Sequence, residues 1–411
     1  MKILLFTQYF PPETNSIANR WGYFCEYLAK KGHEIFVLTS LPKNYSIKEG
    51  VNISQNKWFI EERYQNITIT RFKTLHFKHY RVLSRWLAQL SFSLMSYRYS
   101  LNIPSVDLII AVTPPDFISF NAFKIARKRN NLLVIDVNDL LIENSINRLR
   151  YRFNLNAWLL QLKLRKIYEQ AHALIVSTPA LKKYLTINYG ISQNKILYLP
   201  NGADIEFFNQ EVDSSFIERQ YNLFGNFVVS YVGFLGRYQE PEIIVDTAYL
   251  LTDYKDVKFL IVGTGPLEQK LKIKAKKLKL DNIIFTGLVP HTEINKYIQI
   301  SDVCLVLYKN EPSFRDNIPS KIFEYLAAKK PIIINLEGEA SRLIQEAQAG
   351  LLIKPSSPMD LKEAILKLYQ GKFLREKMGL EGYSYVANNF NREDLSRKLE
   401  QSLYDLIEEY R

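Results

Sequence analysis

Short apolar runs alternate with amphipathic stretches along this chain, and the alternation begins twice. Lys2-Ile3-Leu4-Leu5-Phe6 is followed by a loop over residues 7–16 and a helical pattern over 17–31. Gly32 and His33 end that pattern, and a second apolar run occupies 34–39. Further runs lie at 107–112, 132–136 and 173–177, with helical intervals between them. Such βαβ alternation predicts a parallel, doubly wound α/β sheet. After the turn-rich Leu199-Pro200-Asn201-Gly202-Ala203-Asp204 the pattern resumes, with apolar runs at 227–233, 258–263, 282–285, 303–307, 331–335 and 350–354. A chain of 411 residues exceeds what one hydrophobic core usually supports. Two Rossmann-like domains are therefore expected, over 1–204 and 205–387. The amphipathic segment 388–411 is expected to form a helix returning to the first domain.

Charge divides the two halves. Residues 1–200 hold 27 Lys and Arg against 12 Asp and Glu, whereas 201–411 hold 27 against 30, so the net charge of +12 belongs to the first half. Two segments there, 76–92 and 148–166, mix cations with aromatic and aliphatic residues at helical spacing. The first carries Arg81, Arg85 and Trp86, the second Arg148, Arg150, Arg152 and Trp158. Helices of this kind lie in the interface of an anionic membrane or pack their apolar faces inward as ordinary surface helices. A nucleic-acid partner is not expected, because zinc-finger spacing and RNA-binding signatures are absent and acidic residues are scattered throughout. Cys25 and Cys304 are the only cysteines, which points to a reducing, cytoplasmic setting without disulfides. The apolar start is too short for a signal peptide, and no run approaches the ~20 apolar residues of a membrane span.

From Asp316 to Tyr325 the chain reads DNIPSKIFEY, two carboxylates around a Pro319-Ser320-Lys321 helix start. Proline suits the first helical position, and the N–H groups of a first turn, the helix dipole and the Lys321 ammonium favour an anion. Asp316 and Glu324 would then hold hydroxyls on either side of a diphosphate. The alternative is a capped amphipathic helix without a ligand. A dinucleotide-binding enzyme is disfavoured: the loop after the first run has no glycine, and Gly263-Thr264-Gly265-Pro266 continues to Glu268 where a third glycine belongs. A Walker loop is absent as well. The five histidines show no ligand spacing, so no metal is expected.

Elements along nearly the whole chain resemble the family 4 glycosyltransferases of GT-B fold, and among them the bacterial surface-polysaccharide enzymes related to the fucosamine transferases of O-antigen synthesis. They are Tyr9-Phe10-Pro11-Pro12-Glu13, Gly32-His33-Glu34, Asp136-Val137-Asn138-Asp139-Leu140, Pro200-Asn201-Gly202-Ala203-Asp204, Gly233-Phe234-Leu235-Gly236-Arg237, Val262-Gly263-Thr264-Gly265-Pro266, Pro319 to Tyr325, and Glu337-Gly338-Glu339-Ala340. The resemblance implies two Rossmann-like domains facing a cleft, a nucleotide-sugar donor on the second and an acceptor on the first. Asp316 and Glu324 match the family's acid pair, of which the first faces the donor sugar and the second binds the nucleotide ribose; aspartate at the first position shortens the reach by one methylene. Arg237 matches the diphosphate arginine, and its planar fork suits phosphate oxygens. Many members carry a lysine five residues later, where this chain has Glu242, and Lys321 is the candidate for the missing charge. Pro319, Ser320, Gly236 and Gly263 complete the expected donor side.

In the first domain many relatives place a glycine pair where this chain has Thr14-Asn15-Ser16, leaving the N–H groups of Ser16 and Ile17 to approach the diphosphate. Much of the wider family has a histidine before the aspartate of the central loop, where this chain has Asn138-Asp139. Asn138, Asp139, Glu143 and Glu13 are the expected acceptor-side groups, with Asp139 nearest the reaction centre or else capping the following helix. The family implies transfer with retention and without metal or other cofactor, so Arg237, Lys321 and helix N-termini would stabilise the leaving diphosphate. The subgroup implies a UDP-sugar donor. A polyprenyl-diphosphate-linked glycan as acceptor and an anionic membrane surface as partner, at the inner face of the cytoplasmic membrane, fit the basic first half. The alternatives are a nucleotide-sugar epimerase of the same fold, a soluble transferase making a small glycoside, and a non-enzymatic sugar-nucleotide sensor.

Overall fold

A computed structural model describes residues 1–42, 52–56, 58–74, 82–139 and 155–410. Two compact units divide the chain: Met1–Pro200 with Glu393–Arg411, and Asn201–Arg392.

The first unit is built on nine strands: β1 (Lys2–Phe6), β2 (Glu34–Ser40), β3 (Asn52–Gln55), β4 (Phe59–Tyr64), β5 (Ile67–Phe72), β6 (Leu108–Thr113), β7 (Leu132–Val137), β8 (Ala173–Val176) and β9 (Ile196–Tyr198). Their order is β3-β4-β5-β2-β1-β6-β7-β8-β9. All pairs from β5 to β9 are parallel, while β3 and β4 add an antiparallel edge. Alternate residues of β1 serve opposite faces, as the two-residue period of a strand requires. Ile3 and Leu5 pack with Trp21, Phe24 and Leu28 of the helix Ser16–Lys30 and with Leu395, Leu399 and Leu403 of the C-terminal helix Arg392–Glu409. That helix thus returns to the first unit. Leu4 and Phe6 face the other side, covered by the helices Val82–Ser100, Phe117–Arg129 and Leu155–Gln170 through Phe92, Ile118, Ile125, Leu164 and Ile167.

The second unit has six parallel strands: β10 (Phe227–Val232), β11 (Val257–Val262), β12 (Ile283–Gly287), β13 (Val303–Val306), β14 (Ile332–Ile334) and β15 (Gly350–Leu352). The order β12-β11-β10-β13-β14-β15 reverses direction between β10 and β13. Every residue of β10 is buried, as expected of a parallel strand covered on both faces. Val228 and Val232 meet the helix Ser320–Ala327, and Phe227, Val229 and Tyr231 meet the helices Glu242–Leu250 and Pro358–Gln370. In such sheets ligands bind beyond the carboxyl ends of the strands at the reversal point. In the first unit the corresponding point lies between β1 and β6.

Candidate functional site

In the second unit β10 ends at Gly233, whose φ of 142° suits only glycine. A Cβ there would sit 2.6 Å from Lys321 Nζ, and a Cβ on Gly263 would sit 2.0 Å from Gly233 O. The loops after β10 and β11 therefore meet backbone to backbone and leave a slot for the lysine. Tyr325 fixes the helix that carries it: its hydroxyl accepts from Val232 N–H (3.0 Å) and donates to Val232 O (3.2 Å). Lys321 Nζ lies 4.2 Å from the centroid of the Tyr231 ring. Burial pushes its pKa down to about 8, against the opposing attraction of Glu324 and Cys304.

Glu324 is only 8% exposed, and its carboxylate accepts no hydrogen bond from any described residue. Its oxygens are not among the buried polar atoms left without a partner, so they still meet solvent and can accept from a ligand. Pro319 has extended backbone (ψ 132°) and takes the cap position, so Ser320 rather than the proline is the first helical residue. No side chain caps this helix start, which leaves first-turn N–H groups for an anion.

Asp316 is exposed on the loop between β13 and this helix. That loop is tied to the helix Glu339–Glu346 by Glu339 N–H donating to Arg315 O (2.8 Å) and by the ion pair of Arg315 with Glu337 (2.7 Å). Asp316 consequently lies close enough to Glu339 to help burial push its carboxyl upward. Glu339 was visible in the sequence only as part of a motif, without a role. Arg237 is exposed and has no carboxylate partner among the described residues. Its loop is joined to the loop after β13 by Lys309 N–H donating to Tyr238 O (2.8 Å) and by Phe314, whose ring meets those of Tyr238 and Tyr308. Gly236 and Arg237 after β10, Gly263 after β11, and Asp316, Lys321 and Glu324 after β13 thus share the carboxyl edge of one sheet around its reversal point.

The first unit carries a second constellation. Arg20, 1% exposed, donates from Nη1 to both oxygens of Asp136 (3.1 and 3.0 Å) and to Asn138 Oδ1 (2.9 Å), and from Nη2 to Leu199 O (2.7 Å). Asp136 also accepts from Trp21 Nε1 (2.7 Å) and Asn138 Nδ2 (2.8 Å). Asn138 Nδ2 reaches Thr113 O as well (3.1 Å). Both ends of the Asn138 amide are therefore engaged in fixing the chain immediately before Asp139. Ser16 opens its helix, which Asn15 caps by accepting from Ala18 N–H (2.9 Å). Glu143, Arg81, Arg148, Arg150 and Arg152 lie outside the described residues, as do the side chains of Arg85 and Trp86. Trp158 is exposed on the helix Leu155–Gln170.

Glu13, half-buried in the loop after β1, has one carboxylate oxygen buried without a partner. Burial raises its pKa to about 7, opposed by a backbone hydrogen bond at Phe10 and by Arg71. Between the ordinary 4.5 and about 7 the folded chain then holds a proton that the unfolded chain releases, so stability falls as pH rises through that window. Glu13→Gln removes this loss. Thermal melts of the variant and the wild type should coincide near pH 4, below the window, with the variant melting higher near pH 8.

Among the described residues no cluster of three His, Cys, Asp or Glu has metal-ligand geometry, and no helix is long and apolar enough to cross a membrane. Residues 17–207 match the family model Glycosyltransferase Family 4, and residues 213–385 match Glycosyl transferases group 1. The putative colanic acid biosynthesis glycosyl transferase WcaI of Escherichia coli is 23% identical over 97% of this chain and 98% of its own. Sucrose-phosphate synthase from Thermosynechococcus elongatus superimposes with a TM-score of 0.77 at 17% identity, covering 98% of each chain. Anabaena HepE in complex with UDP-glucose does so with a TM-score of 0.74 at 15% identity, over 98% of this chain and 100% of its own. With one model on each unit and the two-domain architecture shared nearly end to end, the chain is a glycosyltransferase of the GT-B fold, family 4 in its first half and group 1 in its second.

Proposed function

We propose that this glycosyltransferase moves a sugar from a UDP-sugar donor to a polyprenyl-diphosphate-linked glycan during assembly of a bacterial surface polysaccharide, with retention at the anomeric carbon and without a metal. The observation that carries the donor reading is Glu324, only 8% exposed and accepting from no described residue, one helical turn from Lys321, whose charged form burial disfavours. A nucleoside diphosphate answers both: its ribose hydroxyls donate to Glu324, and its phosphates neutralise Lys321, Arg237 and the uncapped helix start. Asp316, beside Glu339, faces the sugar hydroxyls. As the glycosidic bond breaks, negative charge collects on the leaving diphosphate, where fixed cations already stand. The donor's own phosphate oxygen takes the proton of the acceptor hydroxyl on the same face, and Asp139, held by the Arg20–Asp136–Asn138 network, orients the acceptor. The relatives favour uracil and polysaccharide assembly: HepE was crystallised with UDP-glucose and WcaI is named for colanic acid synthesis.

A thermal-shift screen against UDP, GDP, ADP, TDP, CMP and NAD tests this. A ligand at 100 times its Kd stabilises the folded state by about 2.7 kcal/mol, enough for a clear rise in Tm. UDP is expected to give the largest shift, and Arg237→Ala to abolish it. A larger response to GDP or ADP would discard the uracil reading, and a response to NAD alone would remove the donor assignment altogether.

A further inference from the structure

The helix Val82–Ser100 carries apolar residues on two sides: Phe92 packs into the core with Met95, Tyr97 and Tyr99 against it, and a second row stands in solvent. Its buried positions include Ser93, Ser96 and Ser100, while Leu87, Leu90 and Leu94 are exposed, Leu94 by 65%. A helix that only covers a core needs one apolar stripe, so the second row is surplus to folding. The buried hydroxyls are satisfied locally, Ser96 Oγ donating to Ser93 O (3.1 Å) and Ser100 Oγ to Tyr97 O (2.7 Å), and Asn121 of the neighbouring helix Phe117–Arg129 donates to Ser93 Oγ (2.6 Å). The serines are thus a close-packing seam between helices, and the leucines point away from it at i, i+3 and i+7, continued by Arg98 and Leu101. The helix Leu155–Gln170, on the other flank of Phe117–Arg129, likewise exposes Leu159 and Leu162 next to Lys163 and Lys166.

Charge identifies what covers this face. The three adjacent helices carry nine Lys and Arg and one acidic residue, Glu169, which is occupied by Arg165 (2.9 Å). A second copy of the chain would bring the same cations against these, at a cost that grows as water is excluded. An anionic lipid surface instead takes leucines into its acyl boundary and cations among its head groups. We propose that the outer face of these three helices docks the first unit on an anionic bilayer, with Leu87, Leu90 and Leu94 inserted and Arg98, Lys124, Arg127, Lys128, Lys163 and Lys166 at head-group level. The proposal deepens the acceptor half of the proposed function, since a polyprenyl carrier is confined to such a surface, but it does not depend on the donor.

Flotation of the full chain with vesicles tests it. The wild type is expected to float with vesicles containing phosphatidylglycerol and to stay behind with phosphatidylcholine alone. Leu90→Asp with Leu94→Asp should weaken vesicle binding by at least about tenfold, since each leucine loses its burial in lipid. These positions are exposed, so the melting temperature and the UDP-induced shift should be retained. Failure of the wild type to float with anionic vesicles, or unchanged flotation of the double variant, overturns the proposal. So does a wild-type dimer, seen by light scattering, that the double variant breaks, because the face would then belong to a second copy. The UDP shift is read separately, and its loss in the wild type would count against the donor reading alone.

Discussion

Replacing Arg20 with methionine is expected to destabilise the first unit by about 3–5 kcal/mol, the usual cost of removing one partner from a buried ion pair. Arg20 and Asp136 are 1% and 0% exposed, and the guanidinium contacts both carboxylate oxygens. Without it, Asp136 keeps only Trp21 and Asn138 as side-chain donors among the described residues for a negative charge out of reach of water. Asp136→Leu alone should do similar harm by stranding the arginine. The double variant is the informative one. Removing both charges together removes both desolvation costs, so a large part of the lost stability should return. Activity should not return, because Asn138 then loses Arg20 and Asp136, keeping only Thr113 O among the partners described for its amide, and the loop carrying Asp139 is held less firmly. Urea denaturation midpoints read the first effect and transfer rates at saturating donor the second. If the double variant regained both, the network would serve folding alone; if it regained neither, the pair would contribute more than the cancellation of two charges.

Arg20 also marks the limit of what one sequence discloses. On a helix, a lone cation reads as a solvent-facing residue, yet Arg20 falls with Phe24 and Leu28 on the buried stripe, and its partner lies 116 positions away. The available signal is a pair of misfits: an arginine in an apolar stripe and an aspartate inside an apolar strand. The parallel strands were legible because burial on both faces makes continuous apolar runs. The edge was not: β4 reads Phe-Ile-Glu-Glu-Arg-Tyr and pairs antiparallel, so its polar content resembles a loop. β5 could have been found from Ile67-Thr68-Ile69-Thr70, whose alternation follows a turn at Gln65, φ 52°. Arg85, Trp86 and Trp158 mark the basic helices in the sequence, whereas nothing there separates the exposed leucine row from the core-facing side, because the buried positions between them include serines. Glu339 needed the turn at Gly338 to bring it beside Asp316.

Lys321→Met is expected to lower kcat by about a hundredfold or more, the scale seen when one preorganised contact to a developing anion is removed. The same substitution should leave the unliganded protein at least as stable, and this combination separates a binding charge from a structural one. Burial holds the Lys321 pKa near 8 rather than 10.5, so between those values the folded chain binds fewer protons than the unfolded chain, and wild-type stability rises with pH across the window. Methionine removes the desolvation cost below it. A diphosphate, by contrast, needs the protonated amine. UDP affinity should be level below about pH 8 and fall by up to tenfold per pH unit above it, with roughly half a proton taken up on binding at pH 8. Arg237 stays charged throughout and adds no slope. Calorimetric titration in two buffers of different ionisation enthalpy measures the uptake directly, and Lys321→Met should abolish both uptake and slope. Wild-type affinity that stayed constant to pH 9.5 would take Lys321 away from the phosphates, leaving Arg237 and the uncapped helix start to carry the leaving charge.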